Sequence, residues 1–113
     1  MSVKLDRLEH KFAIEISSII KEEIKDERVS FVTVTGVAIT NDLSFAKVYV
    51  TVLNDDERDI VLKTLNGASK FIERELCKRV EIRKMPELKF VYDESIEYSN
   101  NIENIIESIN KHE

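Results

Sequence analysis

Few side chains in this sequence can do chemistry at neutral pH. The histidines are His10, on the polar side of an N-terminal amphipathic stretch, and His112, in the tail. The lone cysteine, Cys77, follows the apolar Leu76 and has no histidine near it in sequence. It reads as a small, partly buried packing residue, since free cysteine is among the most buried residue types. No Gly-x-x-x-x-Gly-Lys loop, no His-Glu-x-x-His pair and no Cys-x-x-Cys occurs. The carboxylates look like solvated faces and helix starts. A hydrolase or transferase needs a positioned base, nucleophile or metal cluster. The sequence therefore reads as a non-enzyme with no cofactor, no metal and no small-molecule substrate.

The residues with informative spacing are basic. Lys70, Arg74 and Lys78 recur every four positions, which stacks them on one face of a helix. Like charges at that spacing cost an isolated helix roughly 0.2–0.5 kcal/mol per pair. A polyanion turns that cost into a gain by releasing counterions. Arg79, Arg83, Lys84 and Lys89 extend the positive field, so residues 69–90 carry +3 within a chain of net charge −5. That overall charge excludes no partner, because screening at physiological salt cuts off charge beyond about 8 Å. The competing reading is a solvated face neutralised by Glu73, Glu75 and Glu81. Arg7 and Lys11, at i and i+4, add phosphate contacts or merely solubility. Phe45, Lys47 and Tyr49 share a strand face. That face either packs under a loop or helix or stacks nucleic-acid bases.

The elements that must position these residues follow from hydrophobic period. Leu5, Leu8, Phe12, Ile16, Ile19, Ile20 and Ile24 form a helical stripe over residues 3–25. Residues 29–39 and 45–53 are β-branched, and the second run alternates cleanly. The cluster at residues 40–44 joins them as an antiparallel hairpin. Gly36 marks a bulge or a close backbone approach. Asn54 caps a helix carrying Ile60, Val61, Leu62 and Leu65, and the period breaks at Gly67, Ala68 and Ser69 before resuming at Phe71. Two helices meeting at a kink fit better than one. Pro86 opens a third strand over residues 87–93, and Ile96, Ile102, Ile105, Ile106 and Ile109 mark a short C-terminal helix starting near Asn100–Asn101. That acidic tail packs its isoleucines on the domain or repels RNA. The 113 residues make one domain of ordinary size, 1–95, with the helix and tail at 96–113. No apolar run approaches the roughly 20 residues of a membrane span. The absence of an apolar leader, together with a single cysteine, points to the cytoplasm. The class is α+β, in the order helix, strand, strand, helix, kink, helix, strand.

That order is the topology of a type II KH-like domain, and several stretches resemble ribosome-binding factor A. They are Asp26-Glu27-Arg28-Val29, Val32-Thr33-Val34-Thr35-Gly36-Val37, Asp42-Leu43 and Ala46-Lys47-Val48-Tyr49-Val50. The most specific is residues 83–95, which matches that family's Arg-x-x-Pro-Glu-Leu-x-Phe-x-x-Asp-x-Ser pattern in type and spacing. The resemblance implies that an Ala-x-Gly kink replaces the usual Gly-x-x-Gly loop. The matching positions here read Ala68-Ser69-Lys70, with lysine where the family has glycine. Gly36 and Gly67, the only glycines, cannot form a Gly-x-x-Gly clamp, so ordinary KH gripping of the backbone is not available. The resemblance further implies a monomer that binds the small ribosomal subunit and its rRNA through Lys70, Arg74, Lys78, Arg79, Arg83 and Lys84, with Arg7, Lys11 and Lys47. It implies a part in ribosome biogenesis, namely rRNA processing at the five-prime end, and in cold adaptation. The alternative is a protein–protein adaptor on the same scaffold.

Overall fold

Residues 3–95 are described by the computed structural model of the chain. The expected C-terminal helix, with Ile102 to Ile109, and His112 lie outside the described residues. Helix α1 runs Val3–Glu23. Its stripe becomes one wall of the core: Phe12, Ile16 and Ile19 are fully buried, and Leu8 and Ile24 pack partly against them. The chain then turns at Asp26, whose carboxylate accepts hydrogen bonds from the backbone N–H of Arg28 (3.0 Å) and from its guanidinium. This turn leads into a single 3-10 turn, Val29–Phe31, where a strand was expected. The tight turn buries Val29 completely, which an extended chain leaving Asp26 would not do.

Strands β1 (Thr33–Ile39) and β2 (Phe45–Thr51) form the expected antiparallel hairpin, and β3 (Glu87–Tyr92) pairs with β2 in parallel, giving the order β1-β2-β3. Apolar positions in and before β1 fall at Val32, Val34, Val37 and Ile39, so the period of two slips by one residue. The register slips there too: Val34 pairs with Val50 but Gly36 with Tyr49. The bulge absorbs the extra residue and keeps both valine pairs on the core face. The alternative of a close backbone approach at Gly36 does not hold, since a Cβ there would meet nothing within 4 Å.

A parallel β2–β3 pair needs a crossover connection. It is supplied by a 3-10 turn, Asp55–Glu57, then α2 (Arg58–Gly67) and α3 (Ser69–Cys77). Asn54 precedes the 3-10 turn and makes no side-chain cap, contrary to its expected role. Its carbonyl instead accepts from Glu57 N–H at 3.0 Å. The helices lie on one face of the sheet, where Ala46, Val48, Val50, Leu88 and Phe90 are buried among Val61, Leu65, Ile72 and Leu76.

Both sheet edges are blunted by polar side chains from the helices. On β1, the backbone N–H of Ile39 donates to Glu9 of α1 at 2.7 Å. On β3, the Asn66 amide accepts from Phe90 N–H (2.9 Å) and donates to Phe90 C=O (3.1 Å), imitating a fourth strand. Leu88 N–H donates to Glu73 at 3.2 Å. Edges left open pair with other chains, so these contacts protect the sheet as well as fasten it.

Candidate nucleic-acid interface

The kink falls where the period broke. Helix α2 ends at Gly67, α3 starts at Ser69, and Ala68 between them has φ −96° and ψ 7°. The bend is mild, because Ala68 N–H still reaches Thr64 C=O and Ile72 N–H still reaches Ala68 C=O, each at 3.0 Å. Its use is geometric. Asn66, two residues before Ala68, and Glu73, five after it, reach successive outward amides of β3. Lys70 projects from the first turn beyond the bend.

This arrangement sorts the charges of α3. The side chains of Lys70 and Lys78 are 73% and 74% exposed, whereas those of Glu73 and Glu75 are 13% and 18% exposed. Glu73 turns toward β3, with Lys70 3.6 Å away. Glu75 accepts a 2.7 Å hydrogen bond from Lys78. That bond, with the fields of Lys78, Arg79 and Arg74, holds its carboxyl below the usual range. Glu73 and Glu75 thus lie low on the helix, each paired with one lysine, and Glu81 is exposed beyond its end. Arg74 is exposed and makes no ion pair among the described residues, and the same holds for Arg83 and Lys84 in the loop before β3.

Arg79 is placed differently. Its guanidinium turns inward onto α1, donating to Ser18 Oγ at 3.1 Å and standing 3.7 and 3.8 Å from Glu15 and Glu22. It clamps α1 to the end of α3. Lys11 stands 3.9 Å from the same Glu15, and Arg7 lies one turn before Lys11 on an exposed face. Arg7 and Lys11 thus continue the row of α1 that Arg79 contacts. Lys47 is not brought to this surface. With Lys89 it occupies the opposite, outer face of the sheet, and no described element covers Phe45, Lys47 and Tyr49, contrary to the packing expected there. Cys77 ends α3 in an exposed position, not the partly buried one expected. Among the described residues, no group of three His, Cys, Asp or Glu side chains could hold a metal ion, and no helix is long and apolar enough to cross a membrane.

The 83–95 block is mostly structural. Pro86, Leu88 and Phe90 are buried. The Asp93 carboxylate accepts from Thr35 Oγ1 at the β1 bulge and from Ser95 N–H and Oγ, tying β3 to β1 across the sheet. Glu94 and Ser95 are helical. Asp93 serves as their N-cap.

Known proteins share this fold and sequence. The sequence model of the family described as ribosome-binding factor A matches residues 4–106. The chain belongs to the ribosome-binding factor A family. Ribosome-binding factor A of Staphylococcus epidermidis is 47% identical over 99% of this chain and 97% of that protein. The Staphylococcus carnosus protein of the same name is 46% identical, with 96% of each chain covered. The crystal structure of ribosome-binding factor A from Thermus thermophilus superposes with a TM-score of 0.72 at 26% identity, covering 78% of this chain and 94% of that one. A homology model of the Thermus thermophilus factor, fitted into the cryo-electron-microscopy map of its complex with the 30S subunit, gives a TM-score of 0.67 at 27% identity, covering 80% and 96%. The type II KH-like order read from the sequence is consistent with the ribosome-binding factor A fold.

Proposed function

We propose that this chain binds the small ribosomal subunit through its rRNA and assists its late maturation, including processing of the five-prime end, without catalysis. The observation that carries this reading is the sorting of charge on α3, with cations outward and carboxylates turned to β3 or held by Lys78. Family membership, and the 30S complex of the Thermus relative, support the small subunit as the partner. Lys70, Arg74, Lys78, Arg83 and Lys84 contact phosphates, Arg7 and Lys11 flank them, and Arg79 holds α1 and α3 in register. Phosphate contacts orient a protein without reading sequence, so selection of the site comes from rRNA shape. The protein acts as a cytoplasmic monomer, with residues 1–95 as the binding domain, and its task weighs most in the cold.

Binding to purified small subunits across a salt series tests this. With five phosphate contacts, log affinity falls against log salt with a slope of about −3.5 to −4.5. A slope near zero, with affinity retained, overturns the electrostatic reading in favour of the protein–protein adaptor, for which the exposed Phe31 and Leu53 would be the contacts.

A further inference from the structure

The outer face of the sheet is a second surface, separate from α3. Along β2 it presents Phe45, Lys47 and Tyr49, and in parallel register Lys89 of β3 stands beside Lys47. With Ala38, Ile39 and Thr40 these residues line an open groove of about 470 Å³ whose lining includes no carboxylate. Glu87, the register neighbour of Phe45, stands outside that lining.

Two features of this face are costly for the folded chain alone. Like charges on neighbouring strands destabilise a sheet, and Lys47 and Lys89 are such a pair. Phe45 is 43% exposed, with the Lys89 ammonium 5.3 Å from its ring centroid. A ligand that brings anions to the lysines and flat apolar surfaces to the rings relieves both. A single nucleic-acid strand offers these in the required order. At about 3.3 Å per residue, Phe45 and Tyr49 stand about 13 Å apart with Lys47 midway. Bases can stack on the two rings while the linking phosphates meet Lys47 and Lys89.

We propose that the outer sheet face binds a short run of unpaired nucleotides, their bases on Phe45 and Tyr49 and their phosphates at Lys47 and Lys89. The inference deepens the RNA reading of the previous subsection and rests on it. It adds a site for unpaired bases on the side of the domain opposite the phosphate-binding helix. Stacking of this kind tolerates any base. The groove therefore recognises single-strandedness rather than sequence.

The test is fluorescence anisotropy of a labelled oligouridylate of about ten residues, titrated with the full chain. Phe45→Ala/Tyr49→Ala should weaken binding by about tenfold or more. Lys47→Gln/Lys89→Gln removes charge without opening the core, and should lower the salt slope by about 1.4. Unchanged affinity in the first variant together with an unchanged slope in the second overturns the proposal. It also falls if the aromatic variant changes only self-association, because a second copy of the chain would then occupy the face. Small-subunit binding by the unmodified chain is measured in parallel. Its loss would overturn the ribosome reading, whereas subunit binding alongside unaltered oligonucleotide binding by both variants rejects the sheet-face site alone.

Discussion

Asn66 shows how much one side chain contributes at the edge of this sheet. Its amide replaces a missing strand by satisfying both polar groups of Phe90. Asn66→Ala leaves both without that partner. Urea denaturation should show a loss of about 1–3 kcal/mol, and a loss below about 0.5 kcal/mol would contradict the edge-capping role. Asp42 and Asp26, together with Glu75, contribute to the acid sensitivity. Hydrogen bonds from Thr40, then Ser44, lower the pKa of Asp42, and the Arg28 side chain lowers that of Asp26. A carboxyl lowered in the folded state stabilises above its unfolded pKa, and that stability is lost as pH falls through the folded value. Asp26→Asn/Asp42→Asn should therefore flatten the fall in stability below about pH 4. An unchanged acid limb would contradict the assignment. At this scale the sequence was partly legible. The positions of Asp26, Asp42 and Asp93 belong to stretches that resemble the family, but their partners lie across turns that only the fold closes.

At the scale of elements, the bulge at Thr35 and Gly36 decides which way β1 faces. Deleting Gly36 removes the extra residue and turns either Val37 and Ile39 or Val32 and Val34 out of the core. Cooperative thermal unfolding should be lost, and a normal transition would show that the hairpin tolerates the slip. Arg79 and Arg74 lie five residues apart with different tasks. Arg79→Ala should cost about 1 kcal/mol by releasing α1 from α3. Arg74→Ala should stay within about 0.5 kcal/mol of the parent in the same denaturation experiment. The elements were legible because their periods are clean: the α1 stripe, the β2 alternation and the break at Ala68 each match the structure. The Val29 turn and the 3-10 start at Asp55 were not, since three-residue turns carry no period. The task of Arg79 was also hidden, because its partners, Ser18, Glu15 and Glu22, are some 60 positions away in sequence.

The molecule as a whole has two unlike faces. One is the helical side, where α3 carries outward lysines and arginines; the other is the outer sheet face, with its aromatic and lysine groove. Sequence placed the basic residues of 69–90 in one positive field. The fold divides them, sending Lys89 to the sheet beside Lys47 and Arg79 to α1, and leaving Lys70, Arg74, Lys78, Arg83 and Lys84 outward. The turn of Glu73 toward β3 and the pairing of Glu75 were illegible because they depend on the unpaired edge of β3 and on Lys78. The central claim is that the outward cations of α3 hold the small subunit. Co-sedimentation of the unmodified chain and of Arg74→Glu/Lys78→Glu with immature small subunits, at low and moderate salt, tests it most directly. The account predicts that the variant melts like the parent yet stays in the supernatant at moderate salt, while the parent pellets. A variant that pellets as well as the parent at both salts would contradict it.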